Sequence, residues 1–282
     1  VLVCAVEALR RAYQVFQHVG PLYVVTTATS LDNFEVHGHI LDMHHQLEAY
    51  ANETGLPIIC QELKPSLNSL PMVQMIGRGK LHRTPETTAK GRDCAVDWKI
   101  KPAQTFLNSL KLKHQTSKIL SLSGARDAES HARAGNLAKR GEQQTQVVKT
   151  SMGFAMAPIK DWDEKDVWGL LGAAENEQID TFSADFSETR KHYAAGNGGT
   201  CDIFAGESTS VNKGCGSRFG CVTCSMVKRD ESLESQIDTS PQQYGYMRPF
   251  VKLRKYLNDT LFNMAHRALI GRLPNSGGFL KI

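Results

Sequence analysis
The sequence predicts an α/β fold: a parallel sheet with helices on both faces, followed by a Cys-rich, mostly helical C-terminal region. Three observations lead there. Amphipathic segments with a period of three to four residues alternate with short β-branched runs up to Glu175. From about Asn176 that alternation gives way to a Gly- and Cys-rich stretch. The 282 residues, 41% hydrophobic and 22% charged, suffice for one large domain or a domain with a smaller appendage. The expected division is 1–175 and 176–282.

AVEALRRAYQVFQHVG reads as an amphipathic helix stopped by Gly20, and PLYVVTTAT as the buried strand after it. Val36, Ile40, Met43, Leu47 and Tyr50 recur at helical spacing, giving a helix that ends near Gly55; LPIICQEL is the next strand. KPSLNSLPMVQMIGRGKLHRTPETTAKG reads as a long loop, and a loop of that length inside a domain is usually functional. DWKIKPAQTFLNSL is helical with Pro102 near its start, KILSLSGA a buried strand, and DAESHARAGNLAKR a helix. FAMAPI is a short strand, and DWDEKDVWGLLGAA a helix with Asp161 and Glu164 spaced as a capping box. A further helix is expected over Arg248–Ile270. In such sheets ligands bind beyond the carboxyl ends of the strands, which directs attention to Thr26–Asn33, Lys64–Asp97 and Ser123–Arg133.

No apolar run approaches the roughly 18–20 residues of a membrane span, and the opening residues do not read as a signal peptide. The chain starts at Val1 without an initiator Met, so further residues are expected upstream. Residues 201–282 hold eleven Lys/Arg against seven Asp/Glu and carry the whole net charge of +4. That excess is compatible with a polyanionic partner and equally with an ordinary solvated surface.

Seven cysteines occur, at 4, 60, 94, 201, 215, 221 and 224. An odd number argues against a disulfide framework and for a metal or redox centre. Cys201, Cys215, Cys221 and Cys224 fall within 24 residues, the last two as C-x2-C, a spacing that lets two sulfurs of one turn reach one metal. Gly214, Gly216 and Gly220 allow close backbone approach and N–H donation to sulfur. A zinc ribbon ordinarily uses two C-x2-C pairs; the uneven spacing here favours an iron–sulfur cluster, with zinc as the alternative. Cys4 and Cys60 read as core residues, and Cys94 as a buried thiol or, beside Arg92, Lys99 and Lys101, an activated one. His37, His39, His44 and His45 share one helix without a ligand pattern and read as surface residues. Trp98, Trp162 and Trp168 read as packing residues.

CGSRFGCVTC followed by MVKRDESLES resembles the cysteine-rich signature of the DndC family and its SspD relatives, ATP-pyrophosphatase-type proteins of bacterial DNA phosphorothioation related to phosphoadenosine phosphosulfate (PAPS) reductases. YVVTTATSLDN, MIGRGKL, RDCAVDWKIKP, SLSGARDAESHARA and APIKDWDEKDVWGLL resemble family segments in the same order, so the likeness runs through nearly the whole chain. Two departures stand out. The Ser-Gly-Gly-x-Asp-Ser pyrophosphate loop expected before the first helix is absent, for which truncation is the favoured account. Thr27-Ala28-Thr29 stands where relatives often carry Asp.

The resemblance implies an adenine nucleotide alpha-hydrolase-like fold and ATP-dependent sulfur incorporation into the DNA backbone. Implied site residues are Arg126, Glu129 and Cys94 for catalysis and Thr27, Thr29, Lys99, Gly124, Arg126 and Arg133 for the nucleotide. Cys201, Cys215, Cys221 and Cys224 would hold the cluster, expected as 4Fe-4S, and ATP would come with Mg. Read from the residues alone, Glu129 and Arg133 are a surface i,i+4 pair; the resemblance favours a phosphate clamp at Arg126. Implied partners are DNA, a cysteine desulfurase and other phosphorothioation proteins, in the cytoplasm and without a membrane. Arg248, Lys252, Arg254 and Lys255 would meet the DNA backbone, making binding fall steeply with salt. The alternatives are a PAPS-type reductase, from which this chain differs in having no cysteine after Cys224, and a non-catalytic cluster-bearing scaffold for DNA or protein partners. A transfer-RNA thiolase is a near neighbour of the first reading.

Overall fold
Alternating helices and strands build two small sheets. A computed structural model describes residues 1–80, 84, 93–150, 152–197, 219–263 and 265. Helix α1 (Leu2–Phe16) leads to strand β1 (Leu22–Thr27), helix α2 (Phe34–Thr54) and strand β2 (Ile58–Leu63), which runs parallel to β1 in the register Leu22 to Ile58 through Thr27 to Leu63. Asn33 caps α2 by accepting the amides of Glu35 and Val36, and Gly55 ends it at φ +71°, a left-handed conformation glycine adopts without strain.

The stretch read as a long loop is partly helical: a 3-10 turn at Leu67–Ser69 and a π-turn at Val73–Gly77. The short turn α3 (Asp93–Ala95) and a π-turn at Val96–Ile100 then feed α4 (Lys101–Lys113), with Pro102 in its first turn as expected. Strand β3 (Leu120–Leu122), a 3-10 turn at Asp127–Glu129 and α5 (His131–Arg140) follow.

Strand β4 (Val148–Thr150), which the sequence reading lacks, pairs antiparallel with β5 (Gly153–Met156), while β3 pairs parallel with β5, giving the order β3-β5-β4. The α/β class with parallel pairing therefore holds. Helix α6 (Glu164–Glu175) does have a capping box, but at Asp163 and Asp166, each side chain accepting the other's amide at 2.9 Å. Asp161, expected as the cap, instead receives Lys160 Nζ at 3.2 Å.

Beyond α6 the elements among the described residues are helices: α7 (Ser187–Gly196), α8 (Glu231–Thr239), α9 (Pro241–Tyr244) and α10 (Arg248–Thr260). The expected helix over Arg248–Ile270 thus ends at Thr260; residues 266–270 lie outside the described residues. Two apolar cores result. Val3, Val6, Leu47, Ala51, Leu56, Ile58, Ala174, Phe182 and Phe186 form the first. Ala195, Val222, Leu233, Ile237, Tyr244 and Met247 form the second. Phe182 and Phe186 pack with the sheet unit, so the first core extends past residue 175. Among the described residues no helix is long and apolar enough to cross a membrane.

Candidate functional site
The C-x2-C turn lies against the loop that leaves the carboxyl end of β1. Asp32 and Cys221 form an isolated antiparallel bridge, and the Val222 amide donates to the Leu31 carbonyl at 2.7 Å. Four consecutive residues of that loop and the start of α2 reach the C-terminal region. Asp32 bridges Cys221, and Asn33 Nδ2 donates to Gln236 Oε1 at 2.8 Å. The Phe34 ring meets Phe250 at 5.2 Å, and Tyr246 donates its hydroxyl to Glu35 at 2.6 Å.

Asp32 organises the loop. Its Oδ2 accepts both the amide and the hydroxyl of Thr29, at 2.7 and 2.9 Å, and its Oδ1 faces Lys99 Nζ at 4.0 Å. Thr29 is fully buried, its proton goes to Asp32, and its oxygen accepts the Leu31 amide. The side chain of Thr29, expected at the nucleotide, is thus turned inward and braces the loop. The Cys221 thiol lies 4.0 Å from that oxygen. Burial first, and the Asp32 carboxylate second, push the Cys221 thiol up to about 11, with Lys99 opposing. Without metal the thiol keeps its proton, and a metal must expel it.

From the other side, α10 holds the same turn. Arg254, only 3% exposed, donates Nη2 to the Cys221 carbonyl at 2.8 Å and to Asp230 Oδ2 at 2.7 Å, and Nε to the Val222 carbonyl at 3.3 Å. Asp230 in turn caps α8 through the Leu233 amide. This corrects the reading of Arg254 as a DNA contact: the side chain is committed inside the fold. Lys255 pairs with Asp259, leaving Arg248 and Lys252 as exposed cations of α10.

Two buried side-chain atoms of this turn, Thr223 Oγ1 and Ser225 Oγ, and Nη1 of the Arg254 that holds it from α10 lack any hydrogen-bond partner among the described residues. Two thiols of one turn beside unused O–H and N–H donors fit a thiophilic metal or an iron–sulfur cluster, whose sulfurs accept such bonds. Among the described residues no group of three or more His, Cys, Asp or Glu gathers at one point. Cys201 and Cys215, the other expected ligands, lie outside the described residues.

The second group of expected residues lies after β3. An added Cβ on Gly124 would lie 3.2 Å from Val1 Cγ1, so this loop packs closely against the start of α1 and a side chain here would have to displace that methyl group. Arg126 Nε sits 3.7 Å from Glu129 Oε1, Arg133 pairs with the other oxygen of Glu129, and Ser130 caps α5 through the Arg133 amide. The surface i,i+4 pair is thus present. Arg126 nevertheless keeps one buried, unpartnered nitrogen, Nη1, whereas Arg133 is more than half exposed. Next to this loop, Asp127, Glu142, Gln143, Gln144, Lys160 and Asp161 line a polar cleft of about 430 Å³.

Of the remaining expectations, Thr27 ends β1, paired with Leu63. Cys94 is partly buried in α3, while Lys99 and Lys101 pair with Asp32 and Asp97; Arg92 lies outside the described residues. Cys60 is partly buried against the first core, and burial pushes its thiol up to about 11; Cys4 is partly buried in α1. His44 is buried and bonded to Thr26 at 3.1 Å, which corrects its reading as a surface residue. Trp98 and Trp168 are buried as expected. Asp32, Asp230 and Gln236 are site residues that the sequence reading missed. The signal for Asp32 was its place beside the helix-capping Asn33 at a strand's end. No protein-family model matches the chain, and no curated protein sequence matches it.

Proposed function
We propose that this chain is an ATP-pyrophosphatase-type enzyme, with an adenine nucleotide alpha-hydrolase-like core, that inserts sulfur into the DNA backbone. The observation that carries the reading is the seat of the C-x2-C turn: Asp32, at the carboxyl end of β1, bridges Cys221 and faces Lys99. A sulfur-ligating turn thereby lies at a strand end where α/β folds bind substrates.

A non-bridging phosphate oxygen of DNA would attack the α-phosphorus of ATP and release pyrophosphate. A sulfur donor at the oxidation level of hydrosulfide would then attack the activated DNA phosphorus, and AMP would leave with the oxygen. Arg126 Nη1, buried and unpartnered, supports a clamp on phosphate oxygens. Glu129 would hold Arg126 in place, and Lys99 would offer a cation beside the cysteine turn. Cys221 and Cys224 would hold a metal, with Cys201 and Cys215 as the further ligands. When bound, an iron–sulfur cluster would supply a sulfur-binding or electron-carrying centre. The exposed Arg248 and Lys252 would meet DNA.

The test is to purify full-length protein without oxygen, assay iron and acid-labile sulfide, and measure pyrophosphate released from ATP and sulfite released from PAPS. Pyrophosphate from ATP by an iron-loaded sample is the expected result, with Arg126→Ala reducing it at least tenfold. Sulfite from PAPS would replace this reading with a reductase; neither product from an iron-loaded sample would replace it with a scaffold.

A further inference from the structure
The turn that carries Cys221 and Cys224 also carries unused donors. Thr223 lies between the two cysteines and Ser225 directly after the second; both side chains are buried. Arg254 uses Nε and one terminal nitrogen on the carbonyls of this turn and on Asp230, and leaves Nη1 buried without a partner. A buried donor left unpaired carries its desolvation cost without a compensating hydrogen bond. Two on the turn, and a third on the α10 arginine that holds it, call for an explanation in a shared acceptor. Thiolate and inorganic sulfide are such acceptors, and donors to their sulfurs orient a metal centre and hold it.

We propose that Thr223 Oγ1, Ser225 Oγ and Arg254 Nη1 donate hydrogen bonds to the sulfur atoms of a metal centre seated on Cys221 and Cys224, and so retain that centre. The proposal rests on the reading of the cysteine turn as metal-binding. The competing occupant is a buried water, which needs two to four polar partners in the same place.

Thr223→Val separates the cases because it keeps the side chain's shape and removes only the hydroxyl. The full chain is purified without oxygen and loaded with ferrous iron and sulfide. Two quantities are measured: the rate of iron release to a chelator, and the thermal midpoint of the metal-free protein. The expected result is iron release at least threefold faster than in the parent, with a metal-free midpoint equal to or above the parent's. Ser225→Ala should repeat the pattern. Unchanged iron release in both variants would overturn the proposal and leave the metal reading intact. A lower metal-free midpoint with unchanged release would assign the hydroxyl to a water, also overturning it. A parent protein that binds no metal would overturn the reading beneath it.

Discussion
Arg254 shows how a charge that reads as a surface contact becomes an internal strut. Its side chain is on the face of α10 shared by Phe250 and Val251, four and three residues before it, and those two pack against the second core. Lys252 and Lys255 point elsewhere and are exposed. The signal was present in RPFVKLRKYL: the spacing to Phe250 and Val251 marks position 254 as inward. Counting charge along the segment, rather than around the helix, hides it. Removing one partner of a buried pair leaves the other uncompensated and costs about 3–5 kcal/mol. Arg254→Met should therefore lower unfolding free energy in urea by about 3 kcal/mol, with Lys252→Ala within about 0.5 kcal/mol of the parent. An Arg254→Met protein as stable as the parent, but weaker on DNA, would restore the surface role.

Among the elements, α1, β1, α2, β2, α4, α5, β5 and α6 were legible from their apolar spacing; β3 forms where expected but corrects its reading as a buried strand, since all three of its residues, Leu120 to Leu122, are exposed. Strand β4 was not, because three residues, Val148 to Thr150, carry no alternation to read and are fixed by pairing with β5. Helices α7 and α8 were hidden for another reason: α7 (SETRKHYAAG) and α8 (ESLESQIDT) are polar, and their burial comes from docking on each other and on α2. The cysteine turn was legible as a motif, while the loop that receives it was not, since the Asp32–Cys221 pairing spans 189 positions of chain. The α2–α7 contact is also where pH should act. His192 of α7 is buried with Nδ1 unpartnered, and its ring lies 5.2 Å from that of His39 on α2, which bonds Thr189. Burial lowers both imidazoles below their ordinary 6.5; at His192 the His39 and Lys191 charges add to this, and Glu188 and Glu35 oppose it, with the Tyr244 ring alongside. Because the folded state holds them neutral, their contribution is intact above pH 6.5 and is lost as pH falls below it. The urea midpoint should drop between pH 7 and pH 5, and His192→Phe should flatten that drop; an unchanged slope in the variant would remove His192 from the account.

The molecule as a whole is joined through a short handle. Residues 32 to 35, where β1 hands over to α2, contact Cys221, Gln236, Phe250 and Tyr246 in turn. Loosening this handle would move the cysteine turn away from Lys99 and the strand end without touching a thiol. Asn33 is its most tightly constrained member, because one side chain both caps α2 and donates to Gln236. Gln236 is fully buried and its own Nε2 has no partner, so its side-chain amide is held by the hydrogen bond from Asn33. Losing an Asn cap costs about 1 kcal/mol, and stranding the buried Gln236 oxygen adds about 1–3 kcal/mol. Asn33→Ala should thus destabilise by about 2–4 kcal/mol, more than a cap alone explains. Asn33→Asp keeps the cap and replaces the donor to Gln236 by a carboxylate oxygen that cannot donate. A double-mutant cycle of Asn33→Asp with Gln236→Leu should return a coupling of about 1 kcal/mol or more, because the apolar replacement no longer needs the lost donor. The same variants should lose bound metal faster than the parent, since the turn is held between this handle and Arg254. A coupling near zero, with metal retention unchanged, would mean that the two regions dock through their apolar contacts alone and that the cysteine turn keeps its place without Asn33.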